Sequence, residues 1–350
     1  EDRRHGRAGY LAPLQRRAMD LVTGGTGIVG AHVIDALLSA GRPVRALARP
    51  GADRALVERI LRHYHADGSA RFARIQWVDG DLFDPHGLAE AMSGVEHVYH
   101  AAALVSFDPR DAEAMLRTNI AGTAEVVNAA LTAGVKRLCH VSSTATITPS
   151  PGAEHADEAK PFDPDAPHTP YAISKYGAEL EVQRGIAEGL DAVLVNPCVV
   201  IGPGAPGRSS MAMVERFRKG SRFYTRGANA VVDARDVATA MLTLLAQGAT
   251  GERYLLVGEN ITYRRLITLL AASNDRPAPR YALPAWMLGL AWRAERILSL
   301  FGKRPLITRA TANTADRTRR YDGSKAAGST GLHFRDAQEA VNNVARFLQR

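Results

Sequence analysis

A tyrosine and a lysine four residues apart are the side chains of this sequence best placed to do chemistry. Tyr171 and Lys175 lie in HTPYAISKYGAEL, where Thr169 and Pro170 are typical of the N-cap and the first position of a helix. Four residues make about one helical turn, so both side chains share a face. A nearby ammonium favours the phenolate, as does the positive end of the helix dipole. The pair therefore predicts a general acid/base whose pKa is lowered from the usual value of about 10.

Two further polar residues are predicted to join this pair. KRLCHVSS is typical of a buried strand, and Ser143 at its carboxyl end can donate a hydrogen bond to a substrate oxygen. Asn119 falls inside a predicted helix, where asparagine is mildly unfavourable. It can open the helix and position a water that relays protons to Lys175, or it can be a satisfied polar helix residue. We expect Asn119, Ser143, Tyr171 and Lys175 to be the catalytic residues.

A glycine-rich turn near the start of the chain predicts a dinucleotide site. VTGGTGIVG spaces Gly24, Gly27 and Gly30 three residues apart, after a predicted strand and at the start of a predicted helix. In that context the first glycine permits a sharp turn, the second lets backbone N–H groups approach a pyrophosphate, and the third permits close packing of the helix. The helix N-terminus adds attraction for phosphate. We expect NAD(P) here rather than a purely structural turn.

The end of the second strand bears on which dinucleotide binds. An acidic residue there would hold the ribose 2′-hydroxyl of NAD, but RALARPGADR places Arg49 at this point. Arginine suits the 2′-phosphate of NADP instead, through charge-assisted hydrogen bonds. NADP is therefore the preferred cofactor and NAD the alternative, with Arg49 as a merely solvated residue the competing interpretation.

The ends of the third and fourth strands supply further candidates. Asp81, in VDGDLFD, is expected to bond the adenine amino group, although Asp79 and Asp84 are rivals and each can instead cap the next helix. Small residues end the fourth strand and leave room for a ribose; they are Ala101, Ala102 and Ala103.

Strand-like and helical runs alternate from residue 20 to about 200, which predicts an α/β fold. Such alternation is typical of a doubly wound parallel sheet with helices on both faces, the Rossmann arrangement. The later segments are mostly helical and predict a smaller C-terminal lobe. We expect a disordered polar extension over 1–18, a dinucleotide-binding domain over 19–200 plus 228–258, and a substrate lobe over 201–227 plus 259–350, with Met19 a natural start.

The composition of the chain limits the classes of binding partner that we expect. The 350 residues are 46% hydrophobic and 23% charged, with a formal charge of +8, and the basic residues form no stripe with interleaved aromatics as nucleic-acid binding would favour. No apolar run reaches the roughly 18 residues that span a bilayer. Cys139 and Cys198 lie in apolar runs without metal-ligand spacing. We expect a cytoplasmic protein with buried free thiols, a small-molecule substrate, no metal, no nucleic-acid partner and no stable membrane insertion.

One late segment has an apolar helical face with three interpretations. In PAWMLGLAWRAERILSLFG the residues at helical spacing are Met287, Leu290, Ala291, Ala294, Ile297, Leu298 and Phe301. This face predicts core packing, the wall of a pocket for an apolar substrate, or a contact surface in a homodimer or at a membrane.

These motifs together resemble the extended short-chain dehydrogenase/reductase family. VTGGTGIVG, GDL, HAAA, TNIAGT, HVSSTATI, YAISK and VNPCVVIGPG occur in the family's order over about residues 20 to 204, and VVDARDVATAM extends the match. The chain is most similar to the dihydroflavonol-reductase-like and 3β-hydroxysteroid-dehydrogenase-like group, often labelled NAD-dependent epimerase/dehydratase. Two departures weigh against sugar-nucleotide chemistry: Ala145 and Thr146 replace the Asp-Glu pair of dehydratases, and Thr148-Pro149 replaces the Tyr-Gly of epimerases.

The resemblance also implies site residues. It implies the same four catalytic side chains, with Thr144 as an alternative to Ser143 for the hydroxyl. Cofactor contacts are implied for the glycine turn, the strand ends and the catalytic pair, namely Gly24, Gly27, Ile28, Gly30, Arg49, Asp81, Leu82, Ala101, Ala102, Ala103, Tyr171, Lys175, Pro197 and Val199.

Three functions follow as hypotheses. The first is an NAD(P)-dependent oxidoreductase that interconverts a ketone and a secondary alcohol by hydride transfer, with Tyr171 as the general acid/base. The second is a sugar-nucleotide epimerase that keeps NAD tightly bound. The third is a non-enzymatic NADP sensor, which would have no need of an intact Tyr–Lys pair.

Overall fold

The computed structural model describes residues 19–148, 154–160, 162–284, 286–287, 289–290, 292–293 and 315–349. The extension expected over 1–18 and most of the apolar face expected over 285–301 lie outside these residues, including Ala291, Ala294, Ile297, Leu298 and Phe301.

Strands and helices alternate over the first two thirds of the chain, as predicted. The strands there are β1 (Met19–Thr23), β2 (Val44–Ala48), β3 (Gln76–Asp79), β4 (Val95–His100), β5 (Arg137–Val141) and β6 (Ala192–Pro197). The helices between them are α1 (Ile28–Ser39), α2 (Arg54–Tyr64), α3 (Gly68–Phe72), α4 (Pro85–Met92), α5 (Ala112–Leu116), α6 (Gly122–Thr132) and α7 (Pro170–Ala187).

The remaining elements follow in chain order. They are β7 (Val199–Ile201), α8 (Ser209–Arg218), β8 (Phe223–Tyr224), β9 (Ala228–Asp233), α9 (Ala234–Gln247), β10 (Arg253–Leu256), β11 (Glu259–Thr262), α10 (Tyr263–Ala272), β12 (Tyr281–Ala282), α11 (Ser324–Thr330) and α12 (Ala337–Leu348).

Within the described residues, seven parallel strands form the central sheet in the order β10-β6-β5-β4-β1-β2-β3. The order runs outward in both directions from the β1–β4 neighbours, which makes the sheet doubly wound, as predicted. In such sheets ligands bind beyond the carboxyl ends of the strands at this reversal point. Any ligand site is therefore expected above the ends of β1 and β4, with β5 next to them.

The sheet is buried on both faces by helices, because its strands carry almost continuous apolar runs. All six residues of β6 are buried, and the α1 and α9 helices pack on one face with α6 and α7 on the other. Fully covered parallel sheets have this composition. Cys139 and Cys198 are buried free thiols in this core, as predicted.

Strand β9 lies at the border between the two predicted domains. It does not join the central sheet but pairs with β7 and β11 in a second, three-stranded sheet. Ala230 and Val232 of β9 nevertheless pack in the core that covers one face of the central sheet, and the domain boundary at residue 228 stays a prediction. Near the C-terminus, α11 packs on α9 and β10, whereas α12 packs on α10 and β9.

In the part of the chain that the structure describes, no helix combines the length and apolarity needed to cross a bilayer. Over the same residues, no group of three histidine, cysteine, aspartate or glutamate side chains is arranged to hold a metal ion.

Candidate active site

The glycine turn joins β1 to α1 and is built from close backbone contacts. Gly24 has a φ of +70°, and a Cβ there would lie 2.6 Å from the backbone nitrogen of Ala102. A Cβ on Gly30 would lie 2.2 Å from the carbonyl oxygen of Gly24. Since only glycine fits either position, the first glycine does make the sharp turn, and the third lets α1 pack against the turn itself.

The start of α1 is open toward the turn. Gly27 occupies the N-cap position and has no side chain to bond the first N–H groups of the helix. Those groups have no partner within a helix, which makes them donors for an anion. Ile28 at the first position packs against Gly204, so the loop after β7 closes one side of the turn. These features fit the pyrophosphate of a dinucleotide.

The carboxyl end of β4 lies directly beside this turn. Ala101 and Ala102 are half-buried against Gly24, and Ala103 is exposed. The preceding His100 is fixed by hydrogen bonds with the hydroxyls of Thr23 (2.7 Å) and Thr123 (3.0 Å). Burial lowers the pKa of His100 to about 3, so this imidazole is neutral. Through these two hydrogen bonds the uncharged imidazole joins the ends of β1 and β4 to α6 at the base of the site.

Three arginines on or just after β2 differ in whether their side chains have partners in the protein. Arg49 is exposed just beyond the strand, and within the described residues its side chain is in no hydrogen bond or ion pair. Arg54, at the start of α2, forms an ion pair with Asp79 and lies over the Trp77 ring. Arg45, on the same strand, is held by the carbonyls of Ala91 and Ser93 at the other end of the sheet. Of these three arginines, Arg49 is therefore the one without a side-chain partner among the described residues.

The three aspartates after β3 have separate tasks. Asp79 is paired with Arg54, and Asp84 caps α4 by accepting from the Gly87 backbone N–H at 3.0 Å. Asp81 accepts from the Phe83 N–H at 3.0 Å through one carboxylate oxygen, which leaves its other oxygen available. The Leu82 side chain is buried against Gly122. Of the three, Asp81 is the carboxylate best placed to accept from an adenine.

At the end of β6, Pro197 is buried and pairs with Leu256 of β10. Val199 begins β7 and is half-buried. In the central sheet, β6 is three strands from β1, which carries the glycine turn, whereas β7 belongs to the second, three-stranded sheet.

Asn119 lies in a π-helical turn, Arg117–Ala121, between α5 and α6. The side-chain amide accepts from the Leu104 N–H at 2.7 Å and donates to the Leu104 carbonyl and to the Ser174 hydroxyl, both at 2.9 Å. Both amide hydrogens are thus used, and the side chain clamps the segment after β4 to α7. The π-helical turn opens the helix at this point. The contacts of Asn119 with Leu104 and Ser174 show that it positions these segments. Its part in a proton relay stays a prediction.

Tyr171 begins α7, whose N-cap is Thr169 and whose first residue is Pro170, as predicted. The Phe107 ring lies 6.1 Å from the Tyr171 ring and is half exposed. Burial raises the pKa of Tyr171, and its interaction with the Ser143 hydroxyl only partly offsets this. The expected lowering of this pKa is therefore not found in this arrangement; the phenol is protonated at neutral pH.

The structure separates the two candidate hydroxyls. Ser143 faces the Tyr171 phenol, whereas Thr144 is buried and interacts with the phenol of Tyr321. A substrate oxygen beside Tyr171 would therefore meet Ser143 and not Thr144.

Lys175 is buried beneath this group. Only 2% of it is exposed, and its ammonium donates to the Val141 carbonyl at the end of β5 at 2.6 Å. Burial lowers the pKa of Lys175 to about 8, while Glu179 one turn further along α7 acts in the opposite direction. This places the titration of Lys175 close to physiological pH.

Glu179 was not among the predicted site residues, yet it organises the base of the site. One carboxylate oxygen accepts from the hydroxyls of Ser142 and Thr146 and from the Asn196 amide at 2.7 Å. The other lies 3.6 Å from the Arg253 guanidinium. The sequence does carry a signal for it, because a carboxylate four residues after Lys175 shares its face of the helix.

The site therefore combines a cradle for phosphates with a protonated phenol. Val141 and Thr23 end strands that are two apart in the sheet, about 10 Å by the usual spacing. A dinucleotide laid across the carboxyl edge from the glycine turn would bring its far end to the Tyr171–Ser143 pair. Such geometry defines a dinucleotide-dependent enzyme of the short-chain dehydrogenase/reductase class.

Comparisons with known proteins identify the family. The model of the NAD dependent epimerase/dehydratase family matches residues 21–257. The chain belongs to this family and is an NAD(P)-dependent enzyme of the extended short-chain dehydrogenase/reductase type.

Three similar proteins cover most of the chain. A Synechocystis protein assigned as a dihydroflavonol 4-reductase is 31% identical, over 94% of each chain. The 4-hydroxy-2-methyl-3-oxo-4-farnesyl-3,4-dihydroquinoline-1-oxide ketoreductase of Stigmatella aurantiaca is 32% identical, over 71% of each. Among solved structures, the protein gox2253 is 30% identical with a TM-score of 0.78, over 95% of this chain and 98% of its own.

Proposed function

We propose that this enzyme interconverts a ketone and a secondary alcohol, with NADP(H) as the preferred cofactor. The observation that carries the proposal is the Tyr171 phenol, which faces the Ser143 hydroxyl above a buried Lys175 at the carboxyl edge of β5. Named reductases among the relatives support carbonyl chemistry.

When bound at this edge of the sheet, a nicotinamide cofactor would supply or accept the hydride. Ser143 holds the substrate oxygen by donating a hydrogen bond, and Tyr171 delivers a proton to that oxygen as the carbonyl is reduced. A raised pKa suits this direction, because the acid must be protonated at neutral pH before it can donate. In the reverse direction the same phenol would have to lose a proton first.

Lys175 supports this step from below. Its ammonium is held by the Val141 carbonyl and, at pH values below about 8, carries a charge that stabilises the phenolate left after proton donation. The remaining donor capacity of this ammonium can bond a cofactor ribose. Asn119 keeps the helix in place by clamping Leu104 and Ser174.

The preference for NADP rests on Arg49. An exposed guanidinium just beyond β2, without a partner among the described residues, is suited to bond a 2′-phosphate. Asp79 does not compete for it, since that carboxylate is paired with Arg54.

A second candidate function is a sugar-nucleotide epimerase with tightly bound NAD. The family match favours keeping it, because the matching family includes epimerases by name. The same phenol, hydroxyl and lysine would serve, with no net consumption of cofactor.

Cofactor turnover separates the two candidates. The purified enzyme is mixed with NADPH, or with NADH, and a panel of ketones, and cofactor absorbance is followed. We expect ketone-dependent oxidation with NADPH the better donor. Tightly held NAD in the purified protein, with conversion of a sugar nucleotide and no ketone-dependent oxidation of either cofactor, would replace the proposal with the epimerase.

A further inference from the structure

The smaller lobe exposes large apolar side chains next to arginines that form no ion pair with the part of the chain that the structure describes. Trp286, Tyr281 and Leu290 are 66%, 59% and 57% exposed. We call the whole set the aromatic–basic surface; its residues are Phe223, Tyr281, Trp286, Met287, Leu290, Lys219, Arg222, Arg226, Arg276, Arg280 and Arg293, and the apolar members are all exposed by at least a third.

These residues come from two chain segments that lie side by side. β8 and β12 pair in parallel, with Phe223 opposite Tyr281 and their ring centroids 6.0 Å apart. The backbone N–H groups of Arg280 and Tyr281 both donate to the Arg222 carbonyl at 3.0 Å. Arg276 packs against Gly220. The side chains of residues 219–226 and 276–283 therefore form one surface, and Trp286, Met287 and Leu290 follow directly along the chain after β12.

Among the described residues, the basic side chains of this surface have no ion-pair partners. Residues 216–226 contain five Lys and Arg and residues 276–293 contain three, and neither range contains an Asp or Glu. Across the described residues, none of Lys219, Arg222, Arg226, Arg276, Arg280 and Arg293 is in an ion pair. Arg265 on nearby α10 is, by contrast, paired with Glu259 at 3.3 Å. The surface thus has an apolar centre and a cationic rim, with two carboxylates at its edge: Asp275, and Asp316, which accepts from the Arg226 backbone N–H at 3.2 Å.

We propose that the aromatic–basic surface docks the enzyme onto an anionic lipid bilayer. Contiguous exposed apolar side chains mark interaction sites, and tryptophan and tyrosine prefer the interface between lipid and water. Lysine and arginine near such a surface are attracted by acidic headgroups. Peripheral docking needs only this combination of shallow apolar contact and positive charge.

The aromatic–basic surface lies close enough to the cofactor turn that docking would hold the active site near the bilayer. Helix α8 starts after the loop in which Gly204 contacts Ile28 of the cofactor turn, and it ends at Arg218 beside the surface. Its ten residues are roughly 15 Å long at the usual rise. A docked molecule would hold its cofactor cleft within this reach of the bilayer, where an apolar substrate would be dissolved. The docking itself does not depend on the proposed reaction.

The test is co-sedimentation of the full chain with vesicles. One set contains phosphatidylcholine alone, and the other contains about a third phosphatidylglycerol. A charge-reversal variant carries Arg222→Glu, Arg226→Glu and Arg280→Glu. Its matched control carries Arg59→Glu, Arg62→Glu and Arg74→Glu, three exposed arginines of the dinucleotide-binding domain. An apolar variant carries Trp286→Ser and Leu290→Ser, and circular dichroism verifies that each variant is folded.

We expect the native chain to pellet with the anionic vesicles at low salt and at least about tenfold more weakly with phosphatidylcholine alone. The charge-reversal variant should lose at least about tenfold in affinity, the apolar variant should also weaken, and the control should bind nearly as the native chain does. Equal binding to both vesicle types, equal loss in the control, or no pelleting would overturn the proposal. So would concentration-dependent dimerisation that the surface variants abolish without any vesicle binding, because the occupant would then be a second copy.

Discussion

The base of the active site and the outer end of the cofactor cleft are built in opposite ways. Beneath Lys175, Glu179 is buried and accepts from side chains of two chain segments, the loop after β5 and strand β6. Beyond β2, the Arg49 side chain is exposed and has no hydrogen bond or ion pair with the described residues. The difference indicates that the base of the site is fixed before any ligand arrives, whereas Arg49, on which our proposal of NADP rests, is left unbonded until a ligand meets it.

Removing the buried carboxylate should have the largest effect. Glu179→Ala leaves the Ser142, Thr146 and Asn196 donors without their acceptor and Arg253 without its counter-charge. Losing one member of a buried charged network costs about 3 to 5 kcal/mol. Urea denaturation should show a fall of this size in the free energy of unfolding. The control is Glu181→Ala on the same helix, a half-exposed partner of Arg184, which should cost less than about 1 kcal/mol. If both variants lost similarly little free energy of unfolding, the base of the active site would not be preorganised.

The two adjacent hydroxyls at the end of β5 offer the next sharpest contrast. Ser143→Ala should lower kcat by about a hundredfold, the usual effect of losing one donor to a developing oxyanion. Thr144→Val should leave kcat almost unchanged, because that hydroxyl faces Tyr321 and not Tyr171. Steady-state kinetics of both variants decide the matter. The reverse ranking would move the substrate oxygen to Thr144.

Reversing the charge at the cofactor end should change affinity and leave the chemistry intact. Arg49→Glu should weaken NADPH binding at least about tenfold, since a charge-assisted hydrogen bond is worth roughly 1.5 to 3 kcal/mol, while NADH binding should hardly change. Fluorescence titration of both cofactors measures this. Arg59→Glu, an exposed arginine on α2, is the matched control for long-range charge. An equal loss for both cofactors would remove the argument for NADP.

The smallest predicted effect is a shift in pH dependence. Lys175 is protonated below its pKa of about 8, so activity that needs its charge should fall as pH rises through that value. Glu179 raises this pKa, and Glu179→Gln should therefore move the alkaline limb of the pH–rate profile to lower pH, by about half a unit to one unit. Glu181→Gln should leave the limb in place. If the alkaline limb stayed at the same pH in Glu179→Gln, the group that titrates there would not be Lys175.

The sequence predicts best those features that depend on residues close together in the chain. The doubly wound sheet, the glycine turn and the capped start of α7 follow from local patterns, and the structure bears them out. Strand β9 was assigned to the dinucleotide-binding domain because VVDARDV continues the strand–helix alternation. That pattern is local and does not show which strands β9 pairs with; in the structure they are β7 and β11, while Ala230 and Val232 pack in the core of the central sheet.

Electrostatics at the site were predicted less well than geometry. The spacing of Tyr171 and Lys175 suggested a lowered phenol pKa, because sequence shows neighbours but not burial. In the structure burial dominates and raises the pKa of Tyr171, while the Lys175 ammonium is turned to the Val141 carbonyl. Glu179 was missed for the same reason: its partners come from the loop after β5 and from β6 and β10, which are distant in sequence.

The most direct test of the account is a single turnover of cofactor-saturated enzyme with Tyr171→Phe. Removing the phenolic proton leaves the glycine turn and Arg49 untouched, so NADPH should bind as in the native enzyme. Hydride transfer to a ketone identified with the native enzyme should then be at least about a hundredfold slower, the scale of one acid/base group. Single-turnover rates within a few fold of each other, at equal cofactor occupancy, would contradict the assignment of Tyr171 as the proton donor.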